Sequence, residues 1–303
     1  GEAVGIRCAE LSMRYPDGEQ DALQNITLEI PAGSSVAIIG TVGSGKSTLL
    51  RTLAGLHVPR SGVVEHPGLD AARRARTGYV PQEAFILNAS VQENIIFGDV
   101  LREEDLRAVL RTCALEEDLA AMPAGLATEI GERGVNLSGG QKQRMALARA
   151  AYHRPGIVFL DDPLSAVDVS TEDVLADRLL FGAWNSVTRV VVTHRLAHLH
   201  RFDTIILLEH GRVVACGSFA DVMRNEAVRG LVDAAMSEHP PVEVSQSADV
   251  PAPSSIHVVD AEDPALSSRL TEDEDRAVGA VGSSVYRYYL RAMIGHRRVL
   301  SPL

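Results

Sequence analysis

Cysteine pairs and long apolar runs are both missing from this 303-residue sequence. The three cysteines, Cys8, Cys113 and Cys216, lie far apart and form no C-x-x-C pair, so neither a zinc site nor a disulfide framework is indicated. We expect reduced thiols in a cytosolic setting. No stretch of 18 apolar residues occurs, which excludes a complete transmembrane helix. The net charge of −11 argues against non-specific binding to nucleic acid.

The start of the given sequence also shows no leader-like pattern. The sequence begins with Gly1 rather than Met and shows no basic stretch followed by an apolar one. We therefore expect a piece of a longer protein rather than a secreted one. Hydrophobic residues make up 46% and charged residues 23%, which is an ordinary globular composition. The length suffices for one large domain or two.

A glycine-rich loop at residues 40–48, GTVGSGKST, fits the phosphate-binding pattern G-x-x-x-x-G-K-[ST]. The apolar run at 35–39 predicts a buried strand before it, and residues 47–54 predict a helix after it. Such a loop wraps backbone N–H groups around nucleotide phosphates, while Lys46 reaches the β- and γ-phosphates and Ser47 ligates Mg²⁺. The residues predicted to form this site are Gly40, Val42, Gly43, Ser44, Gly45, Lys46, Ser47 and Thr48.

Polar residues follow two further apolar runs. Residues 156–160 predict a buried strand that ends at Asp161 and Asp162, and residues 189–193 predict another that ends at His194. Carboxyl ends of strands in an open α/β sheet are where ligands bind. We therefore expect Asp161 to hold Mg²⁺ and Asp162 to face the γ-phosphate, with His194 at the same sheet edge.

A second candidate phosphate site lies at residues 137–141, LSGGQ. Ser138 is placed as an N-cap before a strong helix former at 142–150, and two glycines leave the helix N-terminal amides open to an anion. Because the sequence has only one phosphate loop with a lysine, the simplest interpretation is that this second site serves a nucleotide held by another subunit.

Tyr15 lies in the turn at 15–18. It either stacks on an adenine ring or covers apolar surface, and its spacing in the sequence does not distinguish the two.

The other elements are predicted from periodicity and turn residues. Strands are expected at 6–11, 26–30, 61–65, 78–80, 204–209 and 212–215, and helices at 103–113, 116–121, 171–180 and 222–236.

The C-terminal part of the sequence changes in composition. Residues 237–275 carry ten acids and one Arg with five prolines, which predicts a disordered acidic linker. Residues 283–295 combine Tyr, Leu, Met and Ile with Arg, which is typical of a membrane-interface helix or of a helix docked on its own domain.

The order of these motifs resembles the nucleotide-binding domain of an ATP-binding cassette transporter. The match covers about residues 5–236, and LSGGQ beside a phosphate loop separates the chain from kinases, GTPases and AAA-type ATPases. The resemblance implies an α/β fold with a P-loop ATPase core of mostly parallel sheet, an antiparallel β subdomain and an α-helical subdomain that carries the signature motif. It implies three segments: the domain at 1–236, the linker at 237–275 and an amphipathic helix at 276–303 that leads to a transmembrane domain.

The resemblance also implies the roles of residues. Tyr15 stacks on adenine; Ser47, Gln82 and Asp161 surround Mg²⁺. Asp162, His194 and Gln82 form the catalytic set. The signature residues Ser138, Gly139, Gly140 and Gln141 hold ATP bound to a second, head-to-tail domain, and Asp168 communicates across that dimer. Residues 128–134 resemble the exporter segment that touches coupling helices. The cofactors are ATP and Mg²⁺, the partners are transmembrane domains rather than nucleic acid, and the location is the cytoplasmic face of a membrane.

One position departs from the usual pattern, because most members of the family have Glu where this chain has Asp162. The run at 159–168, FLDDPLSAVD, is similar to the first nucleotide-binding domain of C-subfamily, multidrug-resistance-associated exporters. Asp is one methylene shorter, so its carboxylate falls about 1.5 Å short of the attacking water. A misplacement of about 1 Å can cost ~10²-fold in rate. We therefore expect tight ATP binding and slow hydrolysis.

Two other functions stay open at this point. A soluble cassette ATPase of the translation or DNA-repair kind shares the motifs, although the acidic charge and the exporter-like segment favour transport. A regulatory module that binds ATP without hydrolysing it is consistent with Asp162.

Overall fold

The computed structural model describes residues 4–66, 77–131, 136–195, 197–226 and 228–230. Its strands are β1 (Val4–Met13), β2 (Leu23–Pro31), β3 (Ser35–Ile39), β4 (Ser61–Glu65), β5 (Thr77–Val80), β6 (Ala89–Ser90), β7 (Glu129–Ile130), β8 (Ile157–Asp161), β9 (Thr188–Val192), β10 (Thr204–Glu209) and β11 (Arg212–Gly217). The central sheet has the order β11-β10-β3-β9-β8-β5. Its pairs are parallel except for the β10–β11 hairpin. The predicted core of mostly parallel sheet is therefore confirmed.

Both faces of the central sheet are covered, which explains the apolar runs in its strands. Side chains alternate between the faces with a period of two, so Val36, Phe159 and Val190 belong to one buried cluster. Ala37, Leu160 and Val191 belong to the other. The first cluster also contains Leu49 and Leu53 of the helix after β3 together with side chains of the antiparallel sheet.

The antiparallel subdomain is a three-stranded sheet with the order β2-β1-β4. Its strands alternate buried and exposed residues, as in the buried Ile26, Leu28 and Ile30 of β2. The turn between β1 and β2 carries Tyr15. This subdomain was predicted, and its inner face packs over the same cluster as the phosphate-loop helix.

The helices of the described residues are α1 (Lys46–Leu53), α2 (Val91–Ile96), α3 (Glu103–Thr112), α4 (Glu116–Ala121), α5 (Gly139–Tyr152), α6 (Val169–Leu175) and α7 (Phe219–Val222). Helices α2 and α3 contact α5, so the helix after the LSGGQ motif lies within a helical subdomain, as predicted. Within the part of the chain that the structure describes, no helix combines the length and apolar character needed to cross a bilayer.

Three element predictions need correction. The helix predicted at 171–180 begins earlier, at Val169, because Asp168 caps it, and it continues as a π-helix over Ala176–Ala183. A short helix, α7, lies before the helix predicted at 222–236, and Ser218 caps it through a capping box with Asp221. Within the predicted range, residues 226 and 228–230 are helical, and residues 231–236 lie outside the described residues. Helix α2 was not predicted. The predicted linker and amphipathic helix lie outside the described residues.

Candidate functional site

Three neighbouring parallel strands end at one edge of the central sheet. In the register, Asp161 of β8 lies opposite Val192 of β9, and Val192 lies opposite Ile38 of β3. Gly40 and Asp162 follow their strands directly, and His194 is the second residue after β9, so the fold brings the phosphate loop, the paired aspartates and the histidine to the same edge. This is the position at which open α/β sheets bind ligands.

The phosphate loop (residues 40–48) has a shape that only glycine permits at two positions. Gly40 has φ 149°, and a Cβ there would lie 2.1 Å from the carbonyl oxygen of Leu208. Gly45 has φ 102° and would place a Cβ 2.9 Å from the carbonyl oxygen of Ala22. The backbone is therefore pressed against β10 and the β1–β2 turn, while the loop tip at Val42 is 89% exposed.

Lys46 turns back onto its own loop. Its Nζ donates to the carbonyl oxygens of Gly40, at 2.9 Å, and Thr41, at 2.8 Å, and the side chain is buried. Burial lowers the pKa of Lys46, while the charges of Asp162 and Asp161 oppose that shift. Among the described residues, the buried hydroxyl of Ser44 has no hydrogen-bond partner. An ammonium and a free hydroxyl inside a ring of backbone amides fit a bound polyphosphate.

Ser47 and Asp161 form the second part of the site. Ser47 Oγ donates to Asp161 Oδ1 at 2.8 Å, and Asp161 is 1% exposed. The other oxygen, Oδ2, lies 3.5 Å from Nη2 of Arg51 and 3.5 Å from Oη of Tyr79. Sequence reasoning missed Arg51 and Tyr79, although Arg51 lies one turn of α1 after Ser47. Together they fix the orientation of the carboxylate.

The donor set at this point suits magnesium rather than a metal that needs a full protein cage. In the described part of the chain, no three His, Cys, Asp or Glu side chains converge on one point. Mg²⁺ prefers oxygen ligands and is usually held by one or two side chains together with substrate phosphates and water. The Ser47–Asp161 pair supplies such oxygens.

Asp162 has an unusual backbone conformation, with φ 49°. Its N–H donates to the carbonyl oxygen of Val192 at 2.9 Å, which fixes it against β9. Burial raises the pKa of the carboxyl group, and the nearby charge of His194 opposes that shift. Among the described residues, Asp162 Oδ1 is buried without a hydrogen-bond partner, whereas His194 is exposed.

Tyr15 lies beside the phosphate loop. Its hydroxyl is 2.9 Å from Oγ1 of Thr48, and its ring meets the ring of His57 edge to face at 5.6 Å between centroids. The turn is fixed by Asp21, which accepts hydrogen bonds from Arg14 at 2.7 Å and Arg60 at 3.0 Å. Tyr15 is 39% exposed.

Gln82 is the predicted site residue that the structure does not bring to the others. It lies two residues beyond the end of β5, the edge strand of the central sheet, and it is exposed. In the residues that the structure describes, its side chain forms no hydrogen bond to Ser47 or Asp161.

The LSGGQ motif forms a signature turn (residues 137–141) at the start of α5. Ser138 accepts from the N–H of Gln141 at 3.2 Å and Gln141 Oε1 accepts from the N–H of Ser138 at 2.8 Å, which is a capping box. The Nε2 of Gln141 donates to Asp118 at 2.8 Å. Ser138 and Gly139 are exposed, so the turn presents its backbone to solvent.

Asp168, the predicted contact across the dimer, caps α6 by accepting a hydrogen bond from the N–H of Thr171 at 2.9 Å.

Comparison with known proteins agrees with this arrangement. The family described as "ABC transporter" matches residues 23–165. "Multidrug resistance protein" of Leishmania tarentolae is 39% identical over 299 residues, which cover 91% of this chain and 19% of that protein. "ATP-binding cassette sub-family C member 10" of Homo sapiens is 37% identical over 267 residues, 88% of this chain and 17% of that protein. The chain thus spans about a fifth of the length of the curated relatives it matches.

A solved structure gives the same result. A bacterial Atm1-family ABC exporter with ATP bound superimposes with a TM-score of 0.69 at 32% identity, covering 76% of this chain and 42% of the exporter chain. The chain therefore belongs to the ATP-binding cassette transporter family, as a nucleotide-binding domain whose curated relatives include subfamily C proteins.

Proposed function

We propose that this chain is the ATP-binding and ATP-hydrolysing module of an exporter of the C subfamily, placed as its first nucleotide-binding domain. The observation that carries the proposal is the hydrogen bond between Ser47 and Asp161 at the end of β8, beside the phosphate loop and His194. A hydroxyl, a buried carboxylate and an ammonium at one sheet edge are the groups that hold a magnesium–triphosphate.

Binding follows from the residues at that edge. The backbone amides of residues 43–48 surround the phosphates, and Lys46 exchanges its two loop carbonyls for phosphate oxygens. Thr48 contacts the phosphates and Tyr15 stacks on the adenine. Ser47 and Asp161 would hold Mg²⁺, with Gln82 as a further oxygen ligand, and the ion would neutralise phosphate charge.

Hydrolysis depends on Asp162 and His194. The Asp162 carboxylate, with its buried and unpartnered Oδ1, orients the attacking water and accepts its proton, while His194 contacts the γ-phosphate. Because Asp is shorter than Glu, the water is held less well and turnover is slow. Burial raises the pKa of Asp162, which makes its carboxylate a stronger proton acceptor, so the shorter reach of the side chain accounts for the slow turnover.

A second nucleotide-binding domain completes each site. The exposed Ser138 and Gly139 and the half-buried Gly140 of the signature turn face the ATP of that domain. Gln141 braces the turn through Asp118. Exposed apolar residues on both sides of the site support such an interface: Val42 is 89% and Val169 is 69% exposed. Asp168, next to Val169, lies where it can contact the opposing domain.

The transmembrane domains are the remaining partner. A cavity of about 290 Å³ opens between β5 and α5, lined by Tyr79, Phe85, Arg149 and His153 among others. The cavity adjoins the segment that follows Gln82, so a helix docked in the cavity is mechanically coupled to Gln82. Residues 128–134 and the segments predicted from sequence as a linker at 237–275 and an amphipathic helix at 276–303 would complete the connection, with the domain at the cytoplasmic face of a membrane.

Single-turnover hydrolysis in the assembled transporter tests this proposal. The pocket on Lys46 is expected to bind ATP and turn over slowly, and Asp162→Glu is expected to raise its rate, by up to ~10²-fold. Asp162→Asn keeps the shape and the left-handed backbone and serves as the matched control that lacks the base. Equal rates for wild type and Asp162→Asn would support a regulatory module that binds ATP without hydrolysis, the second candidate that Asp162 favours.

A further inference from the structure

Arg195, the residue after His194, contacts two other parts of the chain. Its guanidinium bonds Oε2 of Glu172, and its Nη2 donates to the carbonyl oxygens of Val167 at 3.2 Å and Ser165 at 3.4 Å. The two carbonyls belong to the loop at residues 165–168, which joins the paired aspartates to α6. We call this group, Arg195 with Glu172 and the two carbonyls, the clasp.

Glu172 anchors the clasp from inside the domain. It lies on α6, its side chain is 4% exposed, and its second oxygen, Oε1, is 3.7 Å from Nε2 of His198. A buried carboxylate is costly unless it is paired, so Glu172 needs Arg195. The planar guanidinium can serve the carboxylate and the two carbonyls together, which an ammonium cannot do.

The loop that the clasp holds lies against the signature turn. A Cβ added at Gly140 would be 3.0 Å from the carbonyl oxygen of Ala166 and 3.8 Å from Cα of Val167. A Cβ added at Gly139 would be 3.8 Å from Cβ of Ala166. The carbonyls on either side of Ala166 are those that Arg195 binds, so Arg195 fixes the surface on which the signature turn rests.

We propose that Arg195 is a positioning residue that sets the signature turn relative to His194 of the same chain. The inference rests on the proposed function, in which His194 serves this chain's ATP and the signature turn serves the partner's ATP. A nucleotide that contacts His194 thereby changes, through Arg195 and the 165–168 loop, the turn that grips the other nucleotide.

Amide hydrogen exchange on the full chain tests the clasp. In Arg195→Gln without nucleotide, the segments 165–168 and 137–141 are expected to exchange about tenfold faster, the effect of losing hydrogen bonds to a charged group. In the wild type, MgATP is expected to slow exchange at 137–141, and in Arg195→Gln this response is lost. Arg195→Lys keeps the charge and is expected to recover part of both effects.

Arg201→Gln is the matched control, because Arg201 pairs with the exposed Asp177 and does not touch the 165–168 loop. Exchange in Arg195→Gln equal to that in the control would overturn the inference. If Arg195→Gln does not fold, Glu172→Gln and Arg195→Lys decide by the same criteria. Failure of the wild-type chain to bind ATP would contradict the proposed function instead, and exchange without nucleotide would still decide whether the clasp holds the turn.

Discussion

The hydroxyl of Ser47 donates to Oδ1 of Asp161 across 114 residues of sequence, at 2.8 Å. This bond joins the first turn of α1 to the end of β8. The opposite side of the same carboxylate faces Arg51 and Tyr79, so its orientation is set from both sides.

Asp161→Asn is expected to remove the magnesium dependence of ATP binding. The amide oxygen can still accept from Ser47, so the fold is kept, but the negative charge that attracts Mg²⁺ is lost. Titrations with ATP in Mg²⁺ and in EDTA should give different Kd values for the wild type and similar values for the variant. Asp177→Asn, which changes an exposed carboxylate, should behave as wild type; a variant Asp161→Asn that keeps the Mg²⁺ effect would rule out this ligand.

Two substitutions of Tyr15 test separately what its ring and its hydroxyl contribute to ATP binding. Tyr15→Phe loses only the bond to Thr48 and should change the Kd for ATP by no more than about threefold. Tyr15→Ala loses the stacking platform, worth about 1–3 kcal/mol per base, and should weaken binding by roughly tenfold or more. If both variants bind ATP equally well, the ring only covers apolar surface.

Arg149 holds the helical subdomain to the segment after Gln82. It is 4% exposed, donates to the carbonyl oxygens of Asn94 at 2.7 Å and Phe85 at 2.9 Å, and lies 4.7 Å from the ring of Phe97. Arg149→Lys should lower the free energy of unfolding by about 2–4 kcal/mol, because one ammonium cannot satisfy these acceptors together. Urea unfolding measures the change.

The exposed Arg111 on α3 provides the control for that experiment. Arg111→Lys should change the unfolding free energy by less than about 0.5 kcal/mol. A loss in Arg149→Lys no larger than this would mean that the segment is held by other contacts.

Local patterns predicted the parts of the site that depend on backbone. The loop at 40–48, the cap at Ser138 and the strand ends at Asp161 and His194 each follow from short sequence rules, and the structure has these elements in place. The parallel order of the strands then brings the loop, the aspartates and His194 to one edge without further information.

Contacts across the fold could not be predicted in this way. The bonds of Arg195 to the 165–168 loop and of Arg51 to Asp161 depend on register and packing that no local pattern contains. Helix α2 was missed because its six residues are too few to show a helical period, although Ser90 followed by Glu93 is a capping-box signal. Helix α7, which lies before the helix expected at 222–236, was missed because the same signal, Ser218 followed by Asp221, was overlooked.

Equilibrium binding of MgATP to Lys46→Ala tests the central claim most directly. The chain has one other lysine, Lys142, which is exposed on α5, and Lys142→Ala is the matched control. We predict that Lys46→Ala loses tight binding, because it removes the ammonium of the phosphate loop, while Lys142→Ala binds as the wild type does. Unchanged affinity in Lys46→Ala, or equal losses in both variants, would contradict a nucleotide site at this edge of the sheet.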